Sequence, residues 1–326
     1  MKTSRWVSLS IQVPLLAQIT ILSTPAPTGP DPTNFGTLWP GGLISLVCTG
    51  LKVKKPLVQP RKLPLPLEVE GIRVKVGIGR LVCGDTVLDN PVPPLDAPII
   101  EVADHGDYQQ VTVQVPWEFK RYPIVKLNGI DLTCGGTSQF QVSQGGDLAT
   151  SDANGFSPSS FIFVDPNGYV LAQHAADLSW VTGRNAAHPG EVILIHAANL
   201  GSVVNPPRTG YPTPLILSTI IGENGQLAEP IALDVRDIDV SFALLTGPNS
   251  VVQGKVIPLS ITLEPGTVGR YIVALRVPST LPPSPSYLIS YFWSFCPPGP
   301  TCTVLNGRAR TAGGTNYPQK IYLTVP

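Results

Sequence analysis

Four histidines, five cysteines and a thin scatter of acids are the residues in this 326-residue sequence whose types could carry chemistry. A hydrolytic site needs a nucleophile, a base and an orienting acid. His105, His174, His188 and His196 fall in no G-x-S-x-G or H-E-x-x-H pattern, so no residue is nominated as catalytic. His196 stands in an apolar run, where a packed and hydrogen-bonded imidazole is the ordinary arrangement; His105 and His188 adjoin Gly106 and Pro189 in turns. Asp104-His-Gly-Asp107 offers two carboxylates and an imidazole, but contiguous ligands in a turn read better as a solvated loop than as a metal centre. Calcium has a fairer claim on Asp152, Asp165 and Asn167, which sit in the segments Asp152-Ala-Asn-Gly155 and Asp165-Pro-Asn-Gly168. Asx turns account for the same residues without an ion, and the spacing of an EF-hand loop is absent. Glycoside hydrolysis needs two acids facing across a cleft, and nothing in the spacing pairs them. The expectation is no catalytic residue and no cofactor, with calcium the lesser alternative.

The cysteines bear on compartment more than on catalysis. Cys296 and Cys302 flank Pro-Pro-Gly-Pro-Thr, a spacing that closes naturally across a hairpin, so a disulfide is expected there. Cys83 with Cys134 is a second candidate pair, and Cys48, inside the apolar run from Leu43 to Val47, reads as a buried free thiol. Such usage suits an oxidising compartment. Lys plus Arg and Asp plus Glu balance at 22 each, and charged residues are 13% of the chain, so the totals give no footprint for nucleic acid or an anionic membrane. Trp117, Tyr122, Trp180, Tyr211, Tyr287, Tyr291, Phe292 and Trp293 are the aromatics that could stack on sugars or pack on a partner, most of them in a core.

The elements that must position these residues are strands. Val111, Val113 and Val115 alternate with Thr112 and Gln114 before Pro116, and Val273, Leu275 and Val277 alternate with Ala274 and Arg276 before Pro278. Pro40-Gly41 opens the apolar run to Leu51 as Pro189-Gly190 opens the run to Leu200. One unit recurring in the same order is an internal duplication, and short strands separated by turns make each copy a sandwich. Tyr287 to Phe295 predicts a further strand with one wholly aromatic and apolar face, followed by the cysteine hairpin with Arg308 and Arg310 as a protruding contact surface. The join is expected near Asp152 to Pro158, and a hairpin from Phe161 to Ala172 turns at Asp165 to Gly168. Lys2 and Arg5, then Trp6 to Leu22, then Ser-Thr-Pro-Ala-Pro, have the three parts of a weak signal peptide. No segment has the roughly 20 apolar residues a membrane-spanning helix requires.

The expected organisation is all-β: a signal-like or disordered segment 1–35, an Ig-like β-sandwich over 36–155, and a second over 156–326 carrying the disulfide-hairpin insertion. Six motifs also carry a family resemblance. They are the Pro40-Gly41 opening, Gln114-Val-Pro-Trp-Glu118, Lys126-Leu-Asn-Gly129, Phe161-Ile-Phe163, Pro189 to Gly201, and Gly269-Arg-Tyr271 to Pro278. In that order they resemble an uncharacterised secreted C-terminal domain family of Solibacter-type acidobacteria, over about residues 40 to 326. The resemblance implies a tandem pair of Ig-like, IPT/TIG-like sandwiches and brings no activity or catalytic residue. This chain departs from the family in its cysteines and in the insertion from Phe292 to Gly314.

The expected function is a non-catalytic extracellular structural or adhesion module presenting loops to a protein or glycan at the cell surface. The alternative is a secreted carbohydrate-binding accessory protein, which predicts a planar row of exposed aromatics. A hydrolase with an unrecognised site stands third.

Overall fold

The computed structural model describes residues 19–22, 40–83, 86–89, 92–119, 124–127, 130–133, 135–153, 161–200, 203, 206–214, 238–245, 255–256, 258–280, 287–295 and 319–323. The first half of the chain forms β1 (Thr20–Leu22), β2 (Leu43–Thr49), β3 (Leu57–Val58), β4 (Glu68–Val69), β5 (Ile72–Cys83), β6 (Thr86–Asp89), β7 (Leu95–Asp96), β8 (Ile99–Asp104), β9 (Gln109–Gln114), β10 (Ile124–Leu127), β11 (Ile130–Thr133), β12 (Gly135–Gln144) and β13 (Asp147–Ala153). The second half adds β14 (Phe161–Ile162), β15 (Ala172–His174), β16 (Val192–Ala198), β17 (Ile238–Leu245), β18 (Lys255–Val256), β19 (Ser260–Leu263), β20 (Arg270–Arg276), β21 (Tyr287–Phe295) and β22 (Gln319–Ile321). The protein is all-β: the described residues contain no helix, and every strand pair among them is antiparallel.

In the first half, a sheet ordered β1-β2-β9-β8-β3 lies against one ordered β13-β12-β5-β4. Alternation decides the contact, because successive side chains of a strand point to opposite faces. Ile44, Leu46, Cys48, Val111 and Val113 from the first sheet meet Ile72, Val74, Val76, Phe140 and Val142 from the second in one buried cluster. This is sandwich-like packing. In the second half, the sheet β14-β16-β20-β19 turns Ile193, Ile195, Tyr271, Val273 and Leu263 onto a separate cluster, which Ile321 of the sheet β18-β17-β21-β22 joins.

The two Pro-Gly openings have the same geometry. Gly41 and Gly190 both take the left-handed conformation, at φ 73° and 85°. Gly41 N donates to Val115 O at 2.9 Å and Val115 N to Gly42 O at 2.7 Å; Gly190 N donates to Val277 O at 2.9 Å and Val277 N to Glu191 O at 2.8 Å. Each opening is thereby tied to the end of the strand that stops at a proline, Pro116 or Pro278. β2 pairs with β9 as β16 pairs with β20.

Three expectations change. Ile19 is buried in the first cluster and Thr20–Leu22 pairs with Thr49–Val47, so part of the 1–35 segment belongs to the folded sheet. Apolar Ile19 and Ile21 serve as edge-strand residues as readily as they would serve a leader. Asp152, expected in a turn, lies in β13 opposite Gln139, because β12 is long enough to carry its partner on to Ala153. Gln114 and Ala274, expected to face outward, are buried. Ala274 packs with Leu194 and Ile272 in a third cluster on the far side of the second-half sheet, and Gln114 is covered at the junction between the halves.

Candidate functional site

The halves meet through side chains that replace missing strand partners. β1 reaches only as far as Val47, so the backbone of Leu43 at the start of β2 is left over. Asn199 fills the place: its Oδ1 accepts Leu43 N at 2.6 Å and its Nδ2 donates to Leu43 O at 2.9 Å. Gly210 N donates to Gln114 Oε1 at 2.8 Å, and Trp117 N donates to Thr209 Oγ1 at 2.9 Å. The Thr209 hydroxyl donates in turn to Glu118 Oε2 at 2.6 Å. Trp117 follows β9, yet its ring packs in the second half's cluster. Close approach is possible because Gly41 and Gly269 lack a Cβ. One added at Gly41 would lie 2.0 Å from the Trp117 ring, and one at Gly269 would lie 2.7 Å from Gly41 O.

Above the second-half sheet, β15 pairs with β16 and leads into a loop ending near Ala187. Leu178 is held at φ 61° by bonds on both sides: its N donates to His174 O at 2.9 Å, and Gln173 Nε2 donates to its O at 2.9 Å. Asp177 Oδ1 accepts Ser179 N at 2.9 Å. Asn185 Nδ2 donates to Ser179 Oγ at 3.1 Å and to Trp180 O at 3.2 Å. Leu178 and Trp180 each remain 49% exposed. A bulky residue at positive φ is strained, and the hydrogen-bonded loop that holds this strain displays two large apolar side chains.

Trp180 rests on His196, with ring centroids 5.2 Å apart. His196 Nδ1 lies 3.2 Å from Glu264 Oε1, and its Nε2 lies 3.2 Å from Gln173 Oε1. His174 Nδ1 lies 2.7 Å from Glu191 Oε1, and its Nε2 lies 3.2 Å from Asn185 O. Each imidazole thus has both nitrogens committed to acceptors within the protein. Alternate residues Ser260, Thr262 and Glu264 place buried, unpartnered oxygens (Oγ, Oγ1 and Oε2) on this side of the sheet, since Ile261 and Leu263 face the opposite cluster. Chemically, the arrangement offers one fixed indole face over a polar floor.

The other residues singled out in the sequence are dispersed. Asp104 Oδ1 accepts Gly106 N at 3.0 Å and Gln109 Nε2 at 3.1 Å, and these bonds, Gln109's foremost, hold its carboxyl below the usual range. His105 stacks on Tyr108. Asp165 Oδ1 accepts Asn167 N at 2.8 Å and Tyr169 N at 2.9 Å, so this candidate calcium ligand serves as an Asx turn, with Asn167 exposed beside it. The side chain of Asp152 lies outside the described residues, as do Cys134, Cys296, Cys302 and the side chains of Cys83 and of β21. Cys48 is a buried free cysteine. Among the described residues no three His, Cys, Asp or Glu side chains group as a metal site, and no helix is long and apolar enough to cross a membrane.

Sequence reading missed Asn199 and Leu178. Asp-Leu-Ser-Trp reads as an ordinary turn, and only a tightly bonded loop around an exposed apolar pair distinguishes it. No protein-family model matches the chain, and no curated protein matches it.

Proposed function

We propose that the protein is an exported, non-catalytic recognition module. In this reading two Ig-like sandwich halves, fused through the Asn199, Gln114 and Trp117 junction, hold surface loops for contact with a protein or glycan. The observation that carries it is the half-exposed Leu178 and Trp180 pair on a loop whose backbone is hydrogen-bonded at each residue from Leu178 to Thr182. Pre-organised aromatic anchors lose little entropy when a partner covers them, which is why such side chains dominate interfaces. Export is supported by cysteine usage and by the signal-like composition of the segment from Lys2 to Pro27. The non-catalytic reading is supported by the commitment of both His174 and His196 to internal acceptors.

A secreted carbohydrate-binding accessory protein is the second reading, and Trp180 itself favours it, since a fixed indole face stacks on a sugar ring. Against it, the exposed large aromatics among the described residues are Trp180 and Tyr211, and neither belongs to a strand, so they form no row on a sheet face. The test is binding of the full chain to a glycan array and to insoluble polysaccharides, with wild type and Trp180→Ala compared. Saturable glycan binding lost in Trp180→Ala selects the carbohydrate reading. Absence of glycan binding, with a surface protein captured by wild type and not by Trp180→Ala, selects adhesion. Binding of either kind that is indifferent to Trp180 removes this loop as the site.

A further inference from the structure

Balanced totals conceal one segregated run. Lys52, Lys54, Lys55, Arg61 and Lys62 are all exposed, and no Asp or Glu occurs from Leu51 to Leu67. The Lys and Arg side chains just beyond, Arg73 and Lys75, are paired with Glu68 and Asp96, whereas none of these five has an ion-pair partner among the described residues. Interleaved with them are Leu57, Leu63 and Leu67, exposed at 50%, 49% and 48%. Leu57 lies on β3, the edge strand of its sheet, and Leu63 and Leu67 lie between β3 and β4, which ends the other sheet.

The backbone of this run is fixed to the body of the protein. Gln144 bonds Lys52 in both directions, Oε1 accepting its N and Nε2 donating to its O, each at 2.8 Å. Glu70 Oε2 accepts Lys54 N at 2.6 Å, and Glu101 Oε2 accepts Gln59 Nε2 at 2.6 Å, so these two carboxylates help to hold the run. Pro56 O accepts Asp104 N, Leu65 N donates to Gly210 O, and Pro66 O accepts Ile99 N, all at 2.8 Å. With the main chain bonded inward, the cationic and leucine side chains along the run are left exposed to solvent.

We infer that this edge docks on an anionic lipid surface. Unpaired cations attract acidic headgroups, and half-exposed leucines gain by entering the boundary between headgroups and hydrocarbon. An acidic polysaccharide would use the cations and leave the leucines in water, so the combination favours lipid. The inference is separate from the Trp180 loop, and Trp180→Ala leaves it unaffected.

The test is co-sedimentation of the full chain with vesicles of phosphatidylcholine plus phosphatidylglycerol and with vesicles of phosphatidylcholine alone, at low and high salt. Binding is expected to the anionic vesicles only and to weaken as salt screens the charges. The exposed double variant Lys54→Glu, Lys55→Glu lowers partitioning by about fivefold or more for each cation removed. Leu63→Ser with Leu67→Ser lowers it at unchanged charge, with an unchanged melting temperature as the control for folding. Equal binding to both vesicle types, or no binding to either, overturns the inference. So does heparin binding abolished by the lysine variant while the leucine variant behaves as wild type, which would assign the edge to an acidic polymer.

Discussion

Asn199 pairs with Leu43 as a strand would, one side-chain amide satisfying both the N–H and the C=O of a residue in the other half of the chain. Asn199 is fully buried and sits at φ 60°, a conformation that Asn adopts more readily than most residues. The amide supplies its donor and its acceptor from two separate atoms, as a backbone strand partner does. Asn199→Ala removes both bonds and keeps the strain, at a cost of about 3 kcal/mol. Asn199→Gly relieves the strain alone and should lose less. Urea denaturation of the two variants measures the difference, and equal losses would show that backbone conformation contributes nothing.

Gly269→Ala places a methyl 2.7 Å from Gly41 O, a backbone atom, and 2.4 Å from Leu43 Cδ2. Shortening Leu43 clears the second clash and cannot clear the first. The Gly269→Ala, Leu43→Ala double variant is therefore expected to stay destabilised. Trp117→Ala, which empties part of the second cluster, costs about 3–5 kcal/mol. Because the junction couples the halves, wild type should unfold in one transition and Trp117→Ala in two. A single transition in both would show the coupling to lie elsewhere.

Asp177 gives the Trp180 loop an acid limit. Its carboxyl is held below the ordinary value, first by the backbone N–H of Ser179 and then by the Ser179 hydroxyl. A depressed folded pKa contributes stability that is present above the unfolded value and lost as pH falls through the folded one. Trp180 emission, taken as the difference between wild type and Trp180→Phe, should change on that acid side. In Asp177→Asn, whose amide still accepts from Ser179 but does not titrate, the change should be absent.

Burial pushes the Cys48 thiol up to about 12, so at mildly alkaline pH it is neither ionised nor reachable. Iodoacetamide should leave the Cys48 peptide unmodified in the folded protein and label it in denaturant, as read by mass spectrometry. Labelling without denaturant would mean that β2 opens locally.

Ile19 is only 4% exposed and β1 completes the edge of the first sheet, so loss of the chain through Leu22 removes a core side chain and a strand. If the chain is exported as proposed, its mature N-terminus should fall at or before Ile19, as N-terminal sequencing would establish. Ile19→Ala in that protein costs about 2–4 kcal/mol. Cleavage within 23–35 with unchanged stability would contradict the packing of β1.

The sequence by itself determined the class of fold and its repeated detail, because alternation and Pro-Gly turns are local instructions. Val111, Val113 and Val115 are all fully buried, and Gly41 and Gly190 make the same turn, since side-chain period and left-handed φ are set within a few residues. It did not determine which outward residues stay outward. Gln114 and Ala274 follow the alternation and are nonetheless buried, because what covers them comes from elsewhere in the chain. Nor did it place the Trp180 loop: Trp180 is one aromatic among eight candidates in the sequence, and the fold sets it on His196. Likewise the charges sum to zero over the sequence, while the fold pairs Arg73 and Lys75 and leaves Lys52, Lys54, Lys55, Arg61 and Lys62 without an ion-pair partner among the described residues. Burial and charge pairing depend on which strands and loops adjoin: Gly210 of the second half covers Gln114, Leu194 of a neighbouring strand packs on Ala274, and strand pairing sets Glu68 and Asp96 beside Arg73 and Lys75.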